Sequence, residues 1–85
     1  MKLRVEFKPE AVHDLEDLDR AVSQRVLNKI HWLAQNFTQI VPERLTGELG
    51  AFYKLRVGDW RVIYLFDSEA ITVHMIGHRR EIYKF

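Results

Sequence analysis

The stretch YKLRVGDWRVIY, residues 53–64, decides the fold because it has the pattern of two strands joined by a tight turn. The turn falls at Val57-Gly58-Asp59, and apolar and polar residues alternate on both sides of it. The alternation puts large apolar groups on one face of the hairpin. It puts three cations on the other face: Lys54, Arg56 and Arg61. An apolar sheet face needs a covering layer, so we expect helices on that side and an open, cationic face opposite.

The segments around this hairpin supply the remaining elements. Residues 2–7 alternate in the same way and predict an N-terminal strand. Residues 70–76 predict a third strand of the meander, although the adjacent apolar residues Met75 and Ile76 interrupt its alternation. Pro9 and Glu10 suit the first turn of a short helix, and the three-and-four spacing of apolar residues over 21–37 predicts a second, amphipathic helix. Residues 38–50 contain a proline and two glycines and predict a loop, and a bulge is expected near Gly77.

The predicted fold class is therefore α+β, in the order β-α-α-β-β-β. We expect an antiparallel sheet with an N-terminal strand, a two-helix hairpin packed on one face, and a C-terminal three-strand meander. Residues 1–85 are expected to form a single domain.

Composition narrows the possible classes of function. The chain has 85 residues, a formal net charge of +1 and no cysteine, so disulfides, thiolate nucleophiles and cysteine zinc sites are excluded. Residues 10–19 hold five acids and no base, whereas the positive charge is concentrated late in the chain. No apolar run approaches the ~20 residues that span a bilayer, and the first residues lack the apolar stretch of a signal peptide. We expect a cytoplasmic protein with no membrane association.

The candidate functional residues are mostly cations. They are Lys54, Arg56, Arg61, Arg79, Arg80 and, beside them, Tyr83. A guanidinium presents a planar fork to phosphate oxygens and keeps its charge, so arginines on an open sheet face suit phosphodiester binding and transition-state stabilisation. The alternative is that these are solvated strand residues and that the Tyr83 ring packs on the sheet. The sequence pattern leaves both interpretations open.

Two further residues belong to the candidate site. Phe52 has the same strand parity as Lys54 and Arg56, which predicts an exposed aromatic able to stack on an RNA base. His78, next to Arg79, is a candidate proton donor or phosphate contact. His74 is four residues from His78, which on a strand is roughly 13 Å, so we expect no metal site and no cofactor.

At this point the pattern resembles a known superfamily. Residues 53–64, YKLRVGDWRVIY, resemble the central hairpin of RelE/ParE superfamily toxins, and residues 77–83, GHRREIY, resemble the ending of the RelE branch. The resemblance covers essentially the whole chain. It implies a toxin of a type II toxin–antitoxin pair that acts as an endoribonuclease without a metal. Such an enzyme cleaves mRNA in the ribosomal A site by attack of the ribose 2′-OH on the adjacent phosphate, and so inhibits translation.

The resemblance also implies residue roles and partners. Lys54 and Arg61 would hold the phosphate, Arg79 would stabilise the transition state, Tyr83 would act as general base or position the 2′-OH, and Arg56 would bind the RNA backbone. RelE-type sites carry a second lysine two residues before the first, where this sequence has Phe52. The partners would be mRNA on the ribosome and a cognate antitoxin that covers the cationic face. Operator DNA would be bound only indirectly, through the antitoxin.

Two other functions fit the same fold. One is a non-catalytic inhibitor of DNA gyrase, as in the ParE branch, although the GHRREIY ending argues against it. The other is an inactive module that binds RNA or a partner, which the modest net charge favours. The sequence leaves open the codon preference, the antitoxin family and whether Tyr83 or His78 moves the proton.

Overall fold

The computed structural model describes residues 2–46 and 50–82 and confirms the α+β class. Two helices follow the first strand as predicted, and the hairpin and third strand come after them. In chain order the elements are β1 (Arg4–Phe7), α1 (Pro9–Asp17), α2 (Arg20–Gln35), a 3-10 turn (Phe37–Gln39), β2 (Glu43–Arg44), β3 (Tyr53–Val57), β4 (Trp60–Phe66), β5 (Ala70–His78) and α3 (Arg79–Ile82). No helix within the described part of the chain is long and apolar enough to cross a membrane.

The sheet has five strands in the order β1-β5-β4-β3-β2. The meander β3-β4-β5 is antiparallel, as expected, but β1 runs parallel to β5, so the sheet is mixed rather than wholly antiparallel. A meander of three strands reverses twice, which leaves β5 running in the direction of β3, and β1 lies beside it in that same direction. The short strand β2, inside the segment predicted as a loop, pairs with β3.

The main core lies between the helices and the apolar face of the sheet. Val26, Ile30 and Leu33 of α2 belong to one buried cluster with strand residues such as Val62 and Tyr64. These are the positions that the three-and-four spacing and the strand alternation assigned to the interior. Trp32, on the same helix, is 43% exposed and does not take part in this core.

The β3–β4 turn depends on a glycine. Gly58 has φ +61°, and no residue other than glycine has a positive φ in the described chain, so only the first of the two turn residues is left-handed. That pattern matches a type II′ hairpin turn, in which glycine occupies the first central position. The turn sets the register in which Val57 faces Trp60 and Arg56 faces Arg61.

Helix α1 is tied to β5 by a side chain from its acidic face. The Ile76 amide donates to Asp14 Oδ2 at 2.9 Å, across 62 positions of sequence. Strand β1 reaches only to Phe7, which lies beside Val73, so it does not extend far enough to meet the Ile76 amide. Asp14, one of the five acids of residues 10–19, therefore replaces a strand neighbour.

The irregularity in β5 lies at His74 rather than near Gly77. Ile63 pairs with Met75 and Tyr64 with Val73, which leaves His74 as the extra residue, while Gly77 stays in register opposite Arg61. The predicted bulge is therefore present in β5, but it lies three residues before Gly77. The glycine has another use, because a Cβ there would lie 3.2 Å from Ile82 Cδ1. Because Gly77 has no Cβ, α3 can pack closely over β5.

Candidate functional site

The sheet face turned away from α1 and α2, called here the open face, carries the predicted cations. In the observed register Arg56 of β3 lies directly opposite Arg61 of β4, and Lys54 lies opposite Ile63. Residues in register on neighbouring strands point to the same side, so Lys54, Arg56 and Arg61 share the open face as the alternation predicted. Two arginines directly opposite each other repel, which costs stability unless acceptors lie nearby.

An acidic residue that sequence reasoning missed lies among these cations. Glu43 of β2 approaches Arg56 Nη2 at 2.8 Å and Lys54 Nζ at 3.6 Å, through the same carboxylate oxygen. The Lys54 side chain is only 14% exposed, whereas that of Arg56 is 59% exposed. A two-residue strand has no readable alternation, so only the folded sheet reveals that Glu43 belongs to the site.

Arg61 is held more deeply than expected of a phosphate-binding arm. The residue is 7% exposed, and its Nη1 donates to the carbonyls of Gly58 and Trp60 at 2.8 and 2.9 Å. The two carbonyls belong to the β3–β4 turn, so Arg61 fastens that turn while it places a permanent positive charge beneath the open face.

Arg79, Arg80 and His78 meet at the junction of β5 and α3. The Arg79 amide donates to the Asp59 carbonyl at 2.8 Å, and Arg79 Nε lies 3.6 Å from Asp59 Oδ1. The Arg80 amide donates to His78 Nδ1 at 3.2 Å, so a neutral His78 carries its proton on Nε2. Both arginines are exposed, which places a second pair of cations next to the turn that Arg61 holds. Tyr83, the predicted general base, lies outside the described residues.

Phe52 is not the exposed aromatic that the parity argument predicted. It is half-buried, and its ring meets the His74 ring edge-on with centroids 5.1 Å apart. The open face has a small apolar patch of its own, made of Leu45, Ile63 and Ile82 with Phe52 and Met75 packed against them. The Phe52 ring is part of this patch. Because Ile82 of α3 and Leu45, which follows β2, also belong to the patch, these two residues cover part of the open face.

The titratable groups near the sheet differ in what chemistry they allow. Burial raises the pKa of the Tyr64 phenol to about 12, so Tyr64 is a core residue and no proton acceptor near neutral pH. Within residues 2–46 and 50–82 no three histidine, aspartate or glutamate side chains are grouped as a metal site. The cations of the open face can bind anions through fixed guanidinium and ammonium groups. The His78 ring lies edge-on to the Trp60 ring, with centroids 5.4 Å apart, so His78 shares the helix-facing side of the sheet with Trp60 and does not point to the open face.

Comparisons with known proteins agree with this architecture. Residues 5–83 match the family model described as ParE toxin of type II toxin-antitoxin system, parDE. The chain is similar to one from the RelBE2 toxin–antitoxin complex of Mycobacterium tuberculosis, at 24% identity and TM-score 0.80 over 93% of each chain. It is also similar to one from the archaeal RelE–RelB complex of Pyrococcus horikoshii, at 27% identity and TM-score 0.70 over 93% of this chain and 97% of the other.

A third structure shows the same fold without a partner. A double mutant of the toxin RelE from Escherichia coli, in the free state, matches at 21% identity and TM-score 0.75, over 99% of this chain and 93% of the other. A search among curated proteins gave no match.

The family match covers nearly the whole chain, and the chain belongs to the ParE toxin family of type II toxin–antitoxin systems. The expected membership of the RelE/ParE superfamily is thus confirmed, and the protein is a type II toxin with the RelE/ParE fold.

Proposed function

We propose that this toxin is an endoribonuclease of the RelE type that cleaves mRNA in the ribosomal A site and is restrained by a cognate antitoxin. The observation that carries the proposal is the clustering of cations on the open face. Lys54 and Arg56 lie on β3, Arg61 faces Arg56 from β4, and Arg79 and Arg80 lie at the adjoining end of β5. Such a cluster suits a phosphodiester, whose charge increases in the transition state.

The proposed reaction uses a nucleophile that the substrate itself carries. The ribose 2′-OH loses its proton to a base and attacks the adjacent phosphorus, and the bond to the 5′-oxygen of the next nucleotide breaks. The products are a 2′,3′-cyclic phosphate and a 5′-OH, which forms when the leaving 5′-oxygen takes up a proton from solvent. Because the nucleophile needs no activated water, the mechanism calls for no metal or cofactor.

The proposed roles combine the resemblance to RelE-type toxins with the contacts that the described residues make. When RNA binds, Lys54 and Arg56 release the Glu43 carboxylate and contact RNA phosphates. Arg79 releases the Asp59 carboxylate and stabilises the negative charge that develops at the scissile phosphate. Arg61 adds a fixed positive charge from the turn. Tyr83 is proposed as the base and Arg80 as a contact to the RNA. His78, whose ring packs against Trp60 away from the open face, is assigned no proton transfer.

An antitoxin that covers the open face is part of the same proposal. Two of the compared structures are toxin–antitoxin complexes, and the open face combines cations with an apolar patch, a mixture that an acidic and apolar protein segment complements. Contact with operator DNA would then run through the antitoxin, and the toxin would act in the cytoplasm.

The first experiment is primer extension on a translated mRNA after brief induction, comparing the wild type with Arg79→Ala. We expect cuts within codons in the wild type and at least about a hundredfold fewer in Arg79→Ala, as for loss of one transition-state donor. Arg20→Ala, an exposed arginine in the first turn of α2, is the matched control and should cut normally. Undiminished cleavage by Arg79→Ala would refute the site assignment.

A gyrase inhibitor is the second candidate, and one observation favours it: the family model that matches bears the ParE name. On that hypothesis induction arrests growth and triggers a DNA-damage response while translated mRNA stays intact. The same induction experiment, with a reporter of DNA damage measured alongside primer extension, separates the two. Growth arrest with intact mRNA would replace the ribonuclease proposal by the gyrase one.

A further inference from the structure

The open face continues beyond the cations into a hollow that the proposed mechanism does not use. It has a volume of about 380 Å³ and is lined by Lys8, Leu65, Asp67, Thr72 and His74, together with neighbouring backbone of the β4–β5 turn. Leu65 and Thr72 are paired in register, and Leu65 lies two positions after Ile63 of the open-face apolar patch. The hollow therefore belongs to the same surface as Lys54 and Arg56.

The bulge is what brings His74 to this hollow. As the extra residue of β5, His74 points to the open face beside Met75 instead of alternating with it, and its ring is fixed edge-on against Phe52. Lys54 pairs with Ile63 and Ile63 with Met75, so His74 lies two strands, or roughly 10 Å, from Lys54. That separation is about the reach of a nucleotide from its phosphate to its base.

We propose that this hollow is a nucleobase subsite, which holds a base with an exocyclic amino group in an RNA strand whose phosphates contact Lys54 and Arg56. The inference rests on the proposed ribonuclease function and names a subsite within it. Leu65 and the His74 ring offer apolar and aromatic surface against which a base can lie. The Thr72 hydroxyl and the His74 imidazole offer hydrogen-bonding groups to its edge.

Asp67 selects the kind of base. The amides of Glu69 and Ala70 both donate to Asp67 Oδ1, at 2.8 and 2.9 Å, so the carboxylate is held rigidly at the rim of the hollow. A fixed carboxylate accepts from an exocyclic amine such as that of cytosine, whereas uracil presents a carbonyl oxygen at the same position. The hollow should therefore prefer cytosine to uracil.

The charges around the hollow favour a base over a second phosphate. Lys8 is balanced by Asp67 at the rim, and Glu10 also acts on His74. Partial burial, and then the charge of Lys8, lower the pKa of His74 below its usual 6.5, so the imidazole is neutral at pH 7 and both donates and accepts. A neutral heterocycle meets no repulsion here, whereas a phosphate would face the Asp67 carboxylate.

The test is an NMR titration of the histidine ring resonances of the purified toxin with cytidine 5′-monophosphate, uridine 5′-monophosphate or inorganic phosphate. We expect a saturable shift of His74 with the cytidine nucleotide, a much weaker response to the uridine nucleotide, and none to inorganic phosphate. For the variants the affinity is measured by isothermal titration calorimetry, which needs no signal from the His74 ring. His74→Ala and Thr72→Val should each weaken cytidine nucleotide binding, the first roughly tenfold, as for loss of a stacking partner. His31→Ala, an exposed histidine on α2, is the matched control.

Equal responses to both nucleotides and to inorganic phosphate, or unchanged affinity in both variants, would overturn the subsite. This readout does not depend on cleavage, so it is independent of the primer-extension experiment. Cleavage at unchanged positions by a folded His74→Ala variant, together with no nucleotide response at His74, would remove the subsite and leave the ribonuclease proposal intact. Loss of cleavage with Arg79→Ala says nothing of the hollow.

Discussion

At the scale of single residues, Asp14 stabilises the fold through a hydrogen bond to strand β5, although it lies in a stretch of acidic residues. Its carboxylate accepts the Ile76 amide, which strand β1 does not reach. We expect Asp14→Ala to lower the free energy of unfolding by about 1–3 kcal/mol, because a partly buried amide loses a charged acceptor. Glu16→Ala, at an exposed position of the same helix, should change it little. Equal urea-denaturation midpoints for the two variants would contradict the assignment.

His74 gives the protein a stability that depends on pH. Its pKa is lowered in the folded state, first by burial and then by Lys8, so the unfolded chain takes up a proton more readily. Stability is therefore full above the ordinary value of 6.5 and falls as the pH drops through that value toward the folded pKa. Thermal melts of His74→Gln between pH 7.5 and about 5 should show a smaller fall in Tm than the wild type.

The control for this pH effect is His31→Gln, which should keep the wild-type dependence because His31 is exposed on α2. Asp67 does not interfere in that range. Hydrogen bonds from the Glu69 and Ala70 amides hold the pKa of its carboxyl below 3.8, so its contribution is lost only in more acidic solution. Parallel Tm curves for the wild type and His74→Gln would show that His74 does not carry the effect.

At the scale of elements, the hairpin β3–β4 is the unit on which the site is built. Gly58 holds a left-handed conformation, and Arg61 is fastened to the carbonyls on either side of the turn. We expect Gly58→Ala to destabilise the protein by about 1–2 kcal/mol, the usual cost of that conformation with a Cβ, and Gly58→Asn to cost less. Chemical denaturation measures both, and a stabilised Gly58→Ala would contradict the observed turn.

The hairpin and the meander could be predicted because period-two alternation is a local signal. Leu55, Val62 and Tyr64 are buried where that pattern placed them, and Lys54, Arg56 and Arg61 share the opposite face. Strand β2 could not be predicted, since two residues carry no alternation. For the same reason, the sequence did not indicate that Glu43 lies beside Lys54 and Arg56. The bulge at His74 likewise depends on register against β4 rather than on any feature of β5 alone.

At the scale of the whole molecule, a net charge of +1 understates how positive the open face is. Acids gather on α1, whereas the open face collects cations from β3, β4 and α3. If the open face binds single-stranded RNA through three phosphates, the logarithm of affinity should fall with the logarithm of salt concentration with a slope of about −2. Arg56→Ala should make that slope shallower by about 0.7, one released counterion.

Fluorescence anisotropy with a labelled RNA oligonucleotide over a range of salt concentrations measures this slope. Arg20→Ala should leave it unchanged, because Arg20 is on α2, in the layer on the other side of the sheet. A slope near zero for the wild type would mean that the cations of the open face are satisfied by Glu43 and Asp59 and do not bind the RNA backbone. The distribution of charge along the chain could be predicted from the sequence. The ion pairs of the cations with Glu43 and Asp59 could be identified only from the fold.

The parallel pairing of β1 with β5 bears on how the protein is made. Arg4 lies beside Ala70 and Phe7 beside Val73, so the first strand to be synthesised has to wait for nearly all of the chain before its neighbour exists. Contacts this distant in sequence slow folding, because the intervening chain must be ordered first. A nascent chain thus cannot complete its sheet until β5 has been synthesised.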